Sequence, residues 1–301
     1  MAKSAFSPRL KRERTKLLTM MRLPGLNKLI NILRIVLLIL FPLAALWLFL
    51  LQCRSDEQSL KPLKGVRYAH RGLHHEGVPE NSLPAFLEAA AHGYGAELDI
   101  HLTKDGRLAV VHDSDLSRLT GKAVKVEELT AAELKAYPLL GTSCTVPLLE
   151  EVLPIFAGKT PLIIELKCEG RDHEALCQAA TALLDRYPDL VYCLESFDPM
   201  AIMWLRQHRP EIVRGQLSSD QTKKKDKNGL WRFLLTHLYT NILTCPNFIA
   251  YRFADRGKVP ELKLCRRLYQ VQEVSWTIRS EEEAQAAEAL GNLVIFEGFG
   301  R

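Results

Sequence analysis

From residue 66 onward the sequence predicts an α/β fold, a (β/α)8 TIM barrel with a β-hairpin excursion after its second strand, preceded by one N-terminal transmembrane helix. Three observations carry this expectation. Strand-like apolar runs alternate with helical periods, the pattern of a parallel sheet wrapped by helices. One connection, Thr103-Lys104-Asp105-Gly106-Arg107, carries the Asp-Gly signal of a hairpin instead of a helix. Ile35 to Leu51 contains no charged residue and is almost wholly apolar, just long enough to cross a hydrocarbon core.

The N-terminal part accounts for the charge. The chain carries +5 overall, yet up to Arg34 nine Lys or Arg stand against Glu13 alone, so the remainder is net acidic. A basic head on an acidic body points to a membrane partner and not to nucleic acid. Residues 1–31 are expected to form a basic cytoplasmic segment, 32–51 the span, 52–65 a polar tether, and 66–301 the barrel outside the membrane. The long basic lead and the lack of a small-x-small site after the run favour an uncleaved single-pass anchor over a signal peptide. Seven cysteines without a C-x-x-C pair give neither a zinc ribbon nor a disulfide framework, and the oligomeric state is not written in the sequence.

The barrel strands are expected at Val66–Ala69, Ala96–Leu102, Leu108–Val111, Leu162–Leu166, Val191–Ser196, Ile212–Leu217, Phe248–Tyr251, Val274–Ile278 and Leu293–Phe296. Helical periods such as Leu83–His92, Glu174–Arg186, Met200–His208 and Glu281–Leu290 lie between them. Leu108–Val111 returns antiparallel through the Asp-Gly turn, which leaves eight parallel strands in a length usual for this barrel, about 250 residues. After Lys223, Lys224, Lys225 and Lys227 comes an amphipathic stretch with Leu230, Trp231 and Phe233. It reads as an outer barrel helix, with contact to an anionic membrane surface as the rival reading.

Active sites of such barrels lie where the strands finish. Those ends carry His70-Arg71-Gly72, Glu97-x-Asp99-x-His101, His112-Asp113 and Glu165-x-Lys167. Alternation puts Glu97 and Asp99 on one face, and likewise Glu165 and Lys167. A two-residue Asp105-Gly106 turn would pair Lys104 with Arg107 and set His112 opposite Asp99. Three converging carboxylates, Glu97, Asp99 and Glu165, call for a hard divalent cation, Mg2+ or Ca2+. Cys168 faces away and is excluded. His70 and His112 supply an acid and a base near neutral pH, while Arg71 and Lys167 offer fixed positive charge to an anion. That equipment suits the breaking of a phosphoester.

Glu80 could sit near the metal or cap the following helix, and Asn81 and Ser82 read as capping residues. His74 and His75 read as exposed loop residues, and Trp276 as a wall of the substrate pocket.

These motifs, together with Pro79-Glu80-Asn81-Ser82, Thr103-Lys104-Asp105-Gly106, Arg214-Gly215-Gln216-Leu217 and Pro246-Asn247-Phe248-Ile249-Ala250-Tyr251, resemble the glycerophosphodiester phosphodiesterase family in order and spacing. The resemblance implies that His70 and His112 are catalytic, that Glu97, Asp99 and Glu165 bind the metal, and that Arg71 and Lys167 contact phosphate. It implies hydrolysis of a glycerophosphodiester to glycerol 3-phosphate and an alcohol. The rival activity is a lysophospholipase D; the rival outside catalysis is an idle phosphodiester-binding or partner-binding barrel, against which the intact motif set counts. The last strand departs from the family, with Phe296-Glu297-Gly298 where many members carry Gly and Asp. That departure puts any contact from the last loop in doubt.

Overall fold

The computed structural model describes residues 8–20, 24–170, 172–222 and 228–300. The lysines at 223, 224, 225 and 227, and the basic residues Lys3 and Arg22, lie outside the described residues. The chain divides into two units, Met1–Phe49 and Leu50–Arg301.

The first unit holds two helices, Pro8–Met20 and all but the last residue of Pro24–Leu50. Within the second helix, Asn27–Leu50 is a 24-residue stretch with an 18-residue window of mean hydropathy 2.6, long and apolar enough to cross a membrane. A signal sequence has the same signature. The helix starts well before residue 32 and stops at Leu50. Leu51, expected as the last residue of the span, is instead fully buried beside Leu238, Ile249, Tyr251 and Cys265 in the outer shell of the second unit.

The second unit is a closed barrel. Its strands are β1 (Tyr68–His70), β2 (Gly95–Leu102), β3 (Leu108–Val110), β4 (Leu162–Leu166), β5 (Tyr192–Ser196), β6 (Arg214–Ser218), β7 (Phe248–Arg252), β8 (Gln272–Ile278) and β9 (Leu293–Phe296). Eight run parallel and close where β1 pairs with both β2 and β9, while β3 lies antiparallel against the far end of β2. The strands read as near-continuous apolar runs because both faces are covered. Outward residues such as Leu98, Ile164 and Leu194 pack under the helices, whereas Tyr68, Ile163, Phe248 and Val274 fill the interior.

The expected polar tether is largely structured. Glu57–Leu60 forms a helical turn capped by the Asp56 side chain, and Lys61–Leu63 continues as a 3-10 turn. Leu60 and Leu63 are buried in the inner core with Tyr68, Phe248 and Leu293, plugging the N-terminal mouth. The Tyr68 hydroxyl donates to the Leu63 carbonyl at 2.6 Å, so the plug is also hydrogen-bonded.

The hairpin register differs from expectation by one residue. Ile100 pairs with Val110 and Leu102 with Leu108, so Thr103 faces Arg107 across a three-residue turn. The Thr103 amide donates to the Arg107 carbonyl at 2.8 Å, and Gly106 takes a left-handed φ of 76°. A left-handed glycine as the third loop residue relieves the turn that a two-residue loop would have needed. Asp99 therefore lies level with Val111, whose amide donates to its carbonyl at 3.0 Å.

Gly215 permits the interior packing. A Cβ there would stand 2.1 Å from the Phe248 ring, which occupies the space instead. Gly215→Ala should therefore cost about 1–3 kcal/mol through overpacking, seen as a lower urea midpoint with an unchanged slope. An unaltered midpoint would show that Phe248 can step aside.

Candidate active site

The C-terminal ends of the strands converge on a cavity of about 120 Å³. A cleft of about 620 Å³ at the N-terminal face is larger, but its charged residues are Lys64, Arg67 and Glu288, the last two in an ion pair at 2.7 Å. Chemical convergence, not size, marks the smaller cavity.

β1 ends on His70, and the chain then turns sharply. Gly72 has φ 78°, with backbone atoms of Ala85 only 2.9 Å from where a Cβ would sit. Arg71 and Asn81 are both left-handed, with φ of 56° and 51°, and the Asn81 amide donates to the Arg71 carbonyl at 2.9 Å. Left-handed backbone is costly for side chains other than glycine and persists where its surroundings impose it. Here it turns the Arg71 guanidinium over the mouth, with Nη1 2.8 Å from Glu80 and Nε 3.4 Å from Asp99.

β2 and β4 bring Glu97, Asp99 and Glu165 together; one oxygen from each lies within 4.8 Å of the others, and all three are buried. Asp99 and Glu165 are register partners on adjacent strands. Lys167 binds both, with Nζ 3.0 Å from Asp99 and 2.8 Å from Glu165. Burial pushes the Glu97 carboxyl far above the usual range, aided by Asp99 and Glu165. Burial also raises Glu165 to about 7, against the pull of Lys167. Burial opposes ionisation of Asp99 too, but Lys167, His112 and Arg71 prevail and hold it well below its ordinary value. An all-oxygen set short of positive charge fits a hard divalent ion, Mg2+ or Ca2+. Cys168 packs against the outer core, away from this set.

His70 and His112 both line the cavity. His70 Nδ1 is 2.7 Å from Glu297 Oε2, and His112 Nδ1 is 2.7 Å from Asp113 Oδ1. An ionised carboxylate only accepts, so each Nδ1 carries the proton and each Nε2 is left for chemistry. His70 Nε2 lies 3.9 Å from Glu97. Burial lowers the His112 pKa first, Lys167 and Arg71 lower it further, and Asp99 opposes them. His112 reaches the mouth although the hairpin slipped, because β3 stops at Val110 and no longer dictates its side.

Several supports escaped the sequence reading. Asn81 is not a helix cap: its Nδ2 donates to Asp99 Oδ2 at 2.9 Å, while Ser82 alone caps the helix Leu83–Ala91. Glu80 neither caps nor joins the acid triad; it bridges Arg71 and Arg118, and Arg118 also holds Asp113 at 2.6 Å. An ion-pair chain thus runs from Arg71 to His112. His101 lies within hydrogen-bond distance of the His112 carbonyl (3.1 Å) and of Glu127 (2.7 Å). His74 and His75 are half-buried, His75 against Glu88. Trp276 lines the cavity, edge-on to Phe197 at 5.7 Å. Glu195, which the sequence reading passed over, is a further buried acid and lines the same cavity as Glu97 and Glu165.

Glu297 answers the question raised by the atypical last strand: the last loop does reach the site. Its carboxyl is pulled down to about 2 by the His70 hydrogen bond, with burial opposing and Arg279 assisting. A depressed carboxyl stabilises the fold above its ordinary value of 4.5 and loses that contribution as pH falls through about 2. Glu297→Gln should cost about 1.5–3 kcal/mol at pH 7. Its urea midpoint should converge on that of the wild type as pH falls from about 4.5 toward 2. A constant gap across that window would refute the link.

The family model described as "Glycerophosphoryl diester phosphodiesterase family" matches residues 70–296. A glycerophosphodiester phosphodiesterase of Bacillus altitudinis is 42% identical over 111 residues, covering 34% of this chain and 44% of its own. A lysophospholipase D of Rattus norvegicus is 35% identical over 141 residues, covering 41% and 44%. The chain thus spans less than half the length of these two relatives. Among solved structures, a phosphodiesterase of Oleispira antarctica in complex with the product sn-glycerol 3-phosphate has a TM-score of 0.63 at 26% identity, covering 79% of this chain and 94% of its own. With its motifs set at the strand ends of the matched barrel, the chain belongs to the glycerophosphoryl diester phosphodiesterase family.

Proposed function

We propose that the barrel hydrolyses glycerophosphodiesters to glycerol 3-phosphate and an alcohol, using two histidines as acid and base beside one divalent cation. The observation that carries this reading is the shared cavity. His70 and His112, each tied through Nδ1 to a carboxylate, line it with Glu97, Glu165, Arg71 and Lys167. The product bound to the Oleispira antarctica relative supports the same substrate class.

In this mechanism Glu97, Asp99 and Glu165 hold the cation, Mg2+ or Ca2+. When bound, it supplies Lewis-acid neutralisation of charge on the phosphoryl oxygens. Arg71 and Lys167 hold the phosphate and meet the charge that grows at phosphorus, in a mouth where buried walls strengthen each interaction. One histidine Nε2 takes the proton from the attacking hydroxyl as its bond to phosphorus forms. The other enters as the imidazolium and gives its Nε2 proton to the departing alcohol as the alcohol's bond to phosphorus breaks. Glu297 and Asp113 hold the Nδ1–H of both rings, so that Nε2 is the nitrogen that takes or gives the proton.

The helix Pro24–Leu50 anchors the enzyme, with its basic end cytoplasmic and the barrel outside; protease digestion of the chain in intact cells tests this, and digestion only after lysis would contradict it. A lysolipid substrate is the second reading. It is favoured by the rat lysophospholipase D relative and by the helix Gly229–Thr236, where Leu230, Trp231 and Phe233 are 74%, 41% and 43% exposed.

Both readings are tested by a panel of glycerophosphocholine, glycerophosphoethanolamine, glycerophosphoglycerol, polyglycerophosphate and a lysolipid, with Mg2+, Ca2+ or chelator. Glycerol 3-phosphate should be released, chelation should stop it, and His70→Ala or His112→Ala should lower kcat by about 10²–10⁴-fold. Turnover that survives both chelation and His70→Ala would sink the mechanism. Turnover of lysolipid alone would transfer support to the second reading.

A further inference from the structure

The cavity has two chemically distinct halves. β1, β2, β4 and the loop after β3 supply the charged side, from His70 to Lys167. The loop after β5, β6, β8 and β9 supply Phe197, Leu217, Trp276 and Ile295, an apolar wall. At the seam stands Glu195, the register partner of Glu165 on β4 and of Gly215 on β6. It is 1% exposed and lies outside the close set formed by Glu97, Asp99 and Glu165.

Its Oε2 has no hydrogen-bond partner, although it is buried, and the same is true of Trp276 Nε1 on the apolar wall. Burying a polar atom without a partner costs free energy that folding gains nothing by spending. Two such atoms lining one cavity specify what belongs there. The indole N–H only donates, and a carboxyl group accepts and, when protonated, also donates. A hydroxyl, able to accept from one group and exchange a hydrogen bond with the other, completes both. The cavity of about 120 Å³ has room for a short polyol at its seam.

We propose that Glu195 is a specificity-determining residue that hydrogen-bonds a free hydroxyl of the substrate's glycerol, with Trp276 Nε1 as its companion donor. The charged half holds the phosphate, and the seam reads the polyol attached to it. This inference rests on the functional reading above and adds a residue and a subsite to it.

The test compares glycerophosphocholine, which carries free glycerol hydroxyls, with bis(4-nitrophenyl) phosphate, which has none, on the full-length enzyme in detergent with Mg2+. Wild-type turnover is measured first. Cleavage of the nitrophenyl diester with no cleavage of any glycerol-bearing diester would overturn the functional reading itself, before any variant is made. Given wild-type activity on both, Glu195→Leu should lower kcat/KM for glycerophosphocholine by about 10²-fold or more, because a site built for a hydroxyl is left without its partner. It should change the nitrophenyl diester less than about 3-fold, since a contact to an absent hydroxyl cannot matter. Glu195→Gln, which keeps one donor and one acceptor, should recover most of the glycerophosphocholine activity. Calorimetric Mg2+ affinity should be the same in all three proteins. Glu195→Leu should melt no lower than wild type, since it removes an unpaired buried acid. Equal losses on both substrates, weakened Mg2+ binding or a lowered melting temperature would each overturn the proposal in favour of a metal-binding or structural Glu195. Unchanged kinetics in Glu195→Leu would also overturn it.

Discussion

The structure depends on the burial of carboxylates around too few cations. Asp99, Glu165 and Glu195 stand level on three adjacent strands, with Glu97 one inward step below Asp99. Taking a carboxylate out of water costs several kcal/mol even after relaxation. Lys167 meets two of these acids and Arg71 lies 3.4 Å from one, so the mouth remains short of positive charge. Much of the surrounding architecture limits this imbalance. Asn81 donates to Asp99, the Arg71 amide donates to Glu97 at 3.1 Å, and the chain from Arg71 through Glu80 and Arg118 to Asp113 ties the loops after β1 and β3 together. A divalent cation and an anionic substrate bound together would relieve the rest. The strain and the proposed chemistry therefore have one origin.

The opposite end of the barrel is built on other principles. Leu60, Leu63, Tyr68, Phe248 and Leu293 make an apolar plug, and Gly215 leaves space for the Phe248 ring. Such a barrel separates its tasks, with stability at the N-terminal face and chemistry at the C-terminal face. An electrostatically expensive mouth is tolerable because the apolar end and the shell of helices do not depend on it. Sites of this kind usually give up stability for function.

The strands were legible because parallel strands covered on both faces need β-branched and aliphatic runs, and the acids and bases closing those runs stood out. What failed to show depended on distance or on one-residue geometry. The Asp-Gly turn was legible as a hairpin, but its loop length was not, since Thr103 can close a three-residue turn as readily as Lys104 a two-residue one. Asn81 sits beside a genuine capping serine, and only its left-handed backbone turns it toward Asp99. Glu297 is remote in sequence from His70, and closure of β9 against β1 is what joins them. The plug was within reach, since Leu60 and Leu63 stand at helical spacing in an otherwise polar stretch. Glu195 carried the same signal as Glu165, an acid near the end of an apolar strand, and lacked only a neighbouring lysine to draw notice.

The division of the mouth follows from strand order. Because the barrel closes β9 against β1, the charged strands β1, β2 and β4 are contiguous, and so are β5 through β9. Charges clustered on one arc reinforce a single anion site, where the same charges spread around the ring would compete for it. The apolar arc facing them excludes water and so strengthens each ionic contact across the cavity. It also leaves one place where the two arcs meet without satisfying each other's polar groups, at Glu195 on β5. A ligand that is anionic at one end and carries hydroxyls along a short carbon chain matches that arrangement end to end. The geometry that binds the phosphate thereby also orients whatever is attached to it.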